Sequence, residues 1–146
     1  RPACETLERI GELGYLSSVA PLLAEAVAAQ GRDEEAVALT ERWRPERLTV
    51  REDADAWVGW RRVRARLLAR RGEVGEALRL AEAAVAAASR TDFLTAHATA
   101  LADLAEVLRL AGHPEEAASA LRAALRLFER KGNVAAARAL GAAARP

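Results

Sequence analysis

The side chains able to do chemistry are few, and their spacing is wrong for it. His97 and His113 match neither each other nor Cys4 in the way the ligands of a zinc site must, and His113 falls in a turn. Ser17-Ser18 has no histidine partner that the sequence identifies, and the nine glycines are scattered rather than gathered into a phosphate-cradling loop. The acidic residues fall at helix starts and on solvent faces, where no pair can be assigned to acid–base work. The chain is therefore expected to hold no catalytic set, no metal and no cofactor. Recognition is the chemistry left to it. Arg62, Arg66 and Arg70 are four residues apart and share one helix stripe. Three guanidinium groups in a row repel one another unless carboxylates face them, and each fork matches a carboxylate in bidentate fashion. The stripe predicts an acidic partner segment, from another protein or another domain of the same polypeptide. The alternative is a solvated helix face whose arginines pair with Glu residues of their own chain.

The elements that must position this stripe are legible from one hairpin. In Ala98–Lys131, the residues Leu101, Leu104, Ala105, Leu108 and Ala111 recur at helical steps, and Gly112 stands where a left-handed C-terminal cap is wanted. Pro114 suits the first turn of a second helix, with Glu115 and Glu116 at the positive end of its dipole. That helix is expected to reach about Glu129, through Ala117, Leu121, Ala124, Leu125 and Phe128. The pattern of Gly, then Glu-Ala four residues on, recurs at Gly31, Gly72 and Gly112. Val27, Leu68 and Leu108 stand four residues before each glycine. Leu23-Ala24, Arg64-Ala65 and Leu104-Ala105 stand seven to eight before it. An internal repeat of helical hairpins explains this pattern, and repeats of this size imply a stacked array.

With those positions in place, the chain resembles the tetratricopeptide repeat family over nearly all of its length after residue 15. The resemblance implies an all-α, right-handed array of about three antiparallel hairpins with flanking partial helices, forming a single domain over 1–146. It implies a concave groove lined by the first helix of each hairpin. In that register the groove positions are Arg62, Arg66 and Arg70 in the second hairpin, Glu106 and Arg109 in the third, and Ser18 and Glu25 in the first. Two departures stand out: the glycines are 41 and 40 residues apart, where the family's repeat is about 34 residues long, and Glu129 replaces the family's closing proline. Phrases such as Gly14-Tyr15-Leu16-Ser17, Arg90-Thr91-Asp92-Phe93-Leu94 and Glu129-Arg130-Lys131-Gly132-Asn133 are similar to the C-terminal tail of large actinobacterial signalling proteins, in which nucleotide-cyclase and ATPase domains come first. That likeness implies a regulatory, non-catalytic fragment of a larger protein. A different reading is the small-molecule-sensing helical-repeat domain of a transcription regulator, which calls for an enclosed apolar pocket.

Composition narrows the partners. Twenty-two basic against twenty-one acidic residues leave a formal charge of +1, which lacks the basic footprint of a nucleic-acid binder. With 51% hydrophobic residues, half of them alanine, the core is expected to be thin and the helix axes close. No run is long enough to span a membrane, no signal peptide is recognisable, and a lone Cys4 suits a reducing cytoplasm.

Element by element, a short helix is expected over 3–13, ending at Gly14. A second should cover 17–30, capped by Ser17 or Ser18, with Pro21 in or near its first turn. A third should open at Asp33 and stop before Pro45. A long connection, Pro45–Asp53, precedes helices over Ala54–Arg71 and Val74–Ser89. Thr91 or Asp92 should cap the next helix, and Asn133 a last one running from Val134 to about Ala144. Trp43, Trp57 and Trp60 are expected to cluster and pin the long connection, in preference to forming an aromatic ligand cage.

Overall fold

The computed structural model describes residues 1–48 and 54–143. Among these it has eight α-helices and no strand: α1 (Pro2–Ile10), α2 (Leu13–Ala28), α3 (Asp33–Arg42), α4 (Ala54–Arg70), α5 (Val74–Ala88), α6 (Leu94–Leu110), α7 (Pro114–Lys131) and α8 (Val134–Ala143). The pairs α2–α3, α4–α5 and α6–α7 are the three antiparallel hairpins. Their first helices lie side by side, α4 packing against α2 and against α6, while α1 covers α2 at one end and α8 packs on α7 at the other.

The repeat is held by one turn used three times. Gly31, Gly72 and Gly112 have φ of 75°, 82° and 82°. After each glycine, the next backbone N–H donates to the carbonyl five residues back: Arg32 to Val27, Glu73 to Leu68, His113 to Leu108. These bonds satisfy carbonyls that the ending helix leaves open, in the arrangement a left-handed cap allows. Gly11 and Gly132 end α1 and α7 in the same conformation. A Cβ built on Gly72 or Gly112 would meet nothing within 4 Å, so a side chain there costs backbone strain alone. Gly72→Ala and Gly112→Ala are each expected to destabilise the fold by about 1 kcal/mol, read as a lowered urea midpoint. Midpoints equal to the parent's would show that the turns tolerate a Cβ.

Several element boundaries depart from the sequence reading. The first helix ends at Gly11 rather than Gly14, because Gly11 takes the left-handed cap and donates to the carbonyls of Leu7 and Glu8. Gly14 thus falls in the first turn of α2. Neither Ser17 nor Ser18 caps that helix. Ser17 is inside it, buried, and its hydroxyl donates to the Gly14 carbonyl at 2.7 Å. Pro21 is likewise beyond the first turn; it is buried against Gly59 of α4, where an added Cβ would come within 3.6 Å of the pyrrolidine ring. The cap of α6 is Phe93, without a side-chain bond, while the Thr91 hydroxyl bridges the preceding turn, donating to Ala88 and accepting from the Phe93 N–H. The second helix of the third hairpin, α7, reaches Lys131 rather than ending near Glu129. Asn133 does receive the Ala136 N–H at the start of α8, at 3.1 Å. The connection expected over Pro45–Asp53 is described to Leu48, and the expected end of α8 at Ala144 lies outside the described residues.

Alanine fills the crossings, with Ala36, Ala65, Ala77, Ala84, Ala98 and Ala124 fully buried. Trp43 takes the slot held by Ala84 and Ala124 in the other hairpins and is 1% exposed, packed with Cys4, Leu16, Leu39, Leu48, Val63 and Leu67. The three tryptophans do not form one cluster. Trp57 and Trp60 meet edge to face at 6.3 Å, whereas Trp43 belongs to the core of the first hairpin. The division follows from helix direction, since Trp60 turns its indole N–H to the Thr40 carbonyl at 2.8 Å. Arg64 donates to Val37 and to the Thr40 hydroxyl. Trp60 thus satisfies a carbonyl that the end of α3 leaves open, and Arg64 ties α4 to the same turn, where the other hairpins have Leu23 and Leu104 at its position.

Candidate functional site

The three first helices α2, α4 and α6 put the arginine stripe between two sets of carboxylates. Arg62 Nε donates to Asp103 on α6 at 2.6 Å and its Nη2 is 3.9 Å from Glu25 on α2. Arg66 donates to Glu25 at 2.5 Å and lies 3.4 Å from the other oxygen of Asp103. Arg70 donates to Glu106 of α6 at 2.9 Å, with Asp33 of α3 at 3.7 Å. The stripe is therefore occupied, and the expectation of free guanidinium groups waiting for an acidic segment is corrected. Helix geometry gives the reason: Glu25, Arg66 and Glu106 stand at equivalent positions of successive hairpins, six residues before Gly31, Gly72 and Gly112, so adjacent helices present acid, base and acid at one level. All three arginines thus pair with carboxylates of their own chain, as the alternative expects, but only Arg70, 38% exposed, stands on a solvated face; the Arg62 and Arg66 side chains are 14% and 18% exposed.

Burial and charge oppose each other in this network. Burial pushes the Asp103 carboxyl up, against the opposite pull of Arg62 and Arg66. Burial also favours the neutral form of Arg66, yet the carboxylates of Asp103 and Glu25 outweigh it and hold the guanidinium above its ordinary value. Arg66 Nε–H is buried and makes no hydrogen bond within the protein. Asp103 was not singled out by sequence reasoning. The signal was there: a charged residue among Leu101, Leu104, Ala105 and Leu108, on a helix adjoining the arginines.

Beside the network opens a cleft of about 400 Å³, walled by Ser18, Pro21, Leu22 and Glu25 of α2, Val58, Gly59, Arg62 and Val63 of α4, the start of α6, and Lys131. Leu22 and Phe93, each 61% exposed, both line it. Neither was legible as a site residue, because exposure of a large apolar side chain depends on what the fold leaves uncovered. Ser18 and Glu25 do line this cleft. Arg109 does not join the network; it is exposed and, with Glu106, lines a second cleft between α6 and α7, floored by Ala102, Ala105, Ala117 and Leu121.

No metal-binding group of three or more His, Cys, Asp or Glu occurs among the described residues. His113 is in the turn before α7, with Nδ1 3.1 Å from Glu116. Among the described residues no helix is long and apolar enough to cross a membrane.

Comparison with known proteins agrees with this architecture at the level of the family. No curated protein matches the chain. The family model of the tetratricopeptide repeat matches residues 56–130, just over half of the chain and covering the second and third hairpins, and the chain belongs to the tetratricopeptide repeat family.

Proposed function

We propose that this chain is a non-catalytic module that binds a protein or peptide segment in the cleft spanned by α2, α4 and α6. Tetratricopeptide repeats generally mediate protein–protein interaction. The observation that carries the reading to this face is that Leu22 and Phe93, both exposed, line one cleft, since large apolar side chains left exposed together mark a contact surface. The small-molecule-sensor reading calls for an enclosed apolar pocket. This cleft is open along one side and has Glu25, Arg62, Asp92 and Lys131 on its walls, which favours a protein segment. The partner is a separate protein or another domain of the same polypeptide. The resemblance of phrases such as Arg90-Thr91-Asp92-Phe93-Leu94 to actinobacterial cyclase and ATPase tails supports placing the chain, as a regulatory segment, in a cytoplasmic signalling protein of that type.

The test is a selection of displayed peptides on the whole chain, followed by affinity measurement on the double variant Leu22→Ser, Phe93→Ser. Selected peptides are expected to bind the variant at least about tenfold more weakly, the loss of roughly 1.4 kcal/mol that truncating two anchors readily produces, with the unfolding midpoint retained. Peptides that bind parent and variant alike would place the interaction elsewhere.

A further inference from the structure

We propose that the outer face of α7 is a second contact surface: an unmatched ladder of Arg122, Arg126 and Arg130 that receives an acidic helix of a partner protein, its carboxylates four residues apart. This surface goes beyond the cleft between α2, α4 and α6, which none of the three arginines lines.

Arg122, Arg126 and Arg130 stand on successive turns of α7 and are exposed, while Ala117, Ala120, Ala124 and Phe128 on its other side are buried. None of the three makes an ion pair or a side-chain hydrogen bond with a described residue. Glu129 lines a cleft with Val134, Ala137 and Arg138 of α8 instead. The contrast with α4 carries the inference. There, three arginines at the same spacing meet Glu25, Asp33, Asp103 and Glu106 from neighbouring helices. On α7 the spacing sets like charges at i and i+4 twice over, which destabilises a helix, and nothing among the described residues offsets it. The helix dipole accounts for Arg130, in the last turn, but its effect has faded at Arg126 and Arg122. Nor does the repeat call for these arginines. Ten and fourteen residues after the turn glycine, the first hairpin has Glu41 and Pro45, the second Glu82 and Ala86, and the third Arg122 and Arg126.

Charge and spacing identify the occupant. Guanidinium forks match carboxylates in bidentate fashion. Two helices side by side both rise about 6 Å in four residues, so Asp or Glu at i, i+4 and i+8 of a partner helix keeps step with the whole ladder. Ala118 and Ala123, small residues flanking the stripe, let a second helix axis come close. A lipid surface fits poorly, because α7 exposes no large apolar side chain to enter it. A nucleic-acid strand fits poorly too, because Glu115 and Glu116 open the same helix and the chain's formal charge is only +1.

The experiment measures, at low salt, the binding of an end-capped, alanine-based helical peptide with Glu at i, i+4 and i+8 to the whole chain and to the double variant Arg122→Glu, Arg126→Glu. A peptide with the three Glu spread around the helix, a thymidine oligonucleotide and vesicles containing phosphatidylserine are the comparisons. The Glu peptide is expected to bind the parent about tenfold more tightly than the double variant, to bind better than the spread-Glu peptide, and to weaken as salt is added. Equal affinity for parent and variant overturns the ladder as a contact surface, as does absence of binding at millimolar peptide. Equal binding of the spread-Glu peptide overturns the helical spacing. Tighter, arginine-dependent binding of the oligonucleotide or the vesicles overturns the acidic helix as occupant. One measurement needs no ligand: Arg126→Glu alone is expected to raise the thermal midpoint at low salt, because two like-charged neighbours become opposite ones. A midpoint at or below the parent's would show the arginines already matched within the fold, and overturns the proposal. The variant Leu22→Ser, Phe93→Ser is expected to keep the Glu peptide's affinity; a parallel loss would place that peptide in the cleft instead and overturn the ladder, so the two surfaces fail separately.

Discussion

Trp43→Ala is expected to destabilise the protein by about 4 kcal/mol, the middle of the range for truncating a buried aromatic side chain. For a chain of this size that corresponds to a fall of roughly 8–16 °C in the thermal midpoint. Trp43 is 1% exposed and belongs to a buried cluster drawn from four helices, with Cys4 of α1, Leu16 of α2, Leu39 of α3, and Val63 and Leu67 of α4. Arg42 covers its ring at 5.0 Å. The equivalent slots hold Ala84 and Ala124, both fully buried, so the second and third hairpins are built around a small residue there and only the first needs the indole. In a repeat array each unit leans on its neighbours alone. The first hairpin should therefore loosen before the rest, and the urea transition of the variant should broaden or split. A single transition with the parent's midpoint would show that the neighbouring side chains collapse into the vacated space.

That slot shows what the sequence makes legible. The three glycines, the Glu-Ala pairs after them and the apolar residues before them are local features, each tied to one helix end or one crossing. They placed three hairpins and their turns in the right register. The end of α1 and the start of α2 are not legible in the same way, because two glycines, Gly11 and Gly14, compete for one cap. The choice fell to Gly11, whose N–H reaches the carbonyls of Leu7 and Glu8. The tryptophans were legible as buried aromatic mass but not as two separate groups. What divides them is the direction of Trp60, which is set by an open carbonyl on α3.

The arginine stripe was legible as a stripe, and its neighbours were not. Spacing along α4 puts Arg62, Arg66 and Arg70 on one side from sequence alone, but which carboxylates oppose them depends on how far α2 and α6 slide past α4. Glu25 and Glu106 follow from the repeat register, six residues before their glycines. Asp103 stands nine before Gly112, where the second hairpin has Val63 and the first Leu22. The repeat by itself would make it apolar, and its pairing becomes visible once the three helices are seen together.

Asp103→Ala is accordingly expected to cost about 3 kcal/mol, the low end of the range for removing one partner of a buried ion pair. The lower figure applies because Glu25 still neutralises Arg66, while Arg62, 14% exposed, is left with the distant oxygen at 3.9 Å. The cost comes from the stranded guanidinium groups rather than from an ideal carboxylate. Burial raises the Asp103 carboxyl above its ordinary value despite Arg62 and Arg66, so the folded protein takes up this proton more readily than the unfolded chain. By linkage, the ionised group counts against stability above its folded pKa, and that cost is relieved as pH falls through it. Asp103→Asn, which keeps an acceptor for Arg62 Nε, should therefore cost less than Asp103→Ala. The stability difference between parent and Asp103→Asn should move in the parent's favour as the pH falls from 7 towards the ordinary carboxylate range. Replacing both partners together, as Arg62→Leu with Asp103→Leu, should recover most of the loss, since an apolar pair of similar volume leaves no buried charge unmatched. Urea unfolding of the two single variants and the double variant measures the coupling directly. A loss below about 1 kcal/mol for Asp103→Ala, the size of an exposed pair's contribution, would mean that water reaches Arg62 and that the network does not tie α4 to α6.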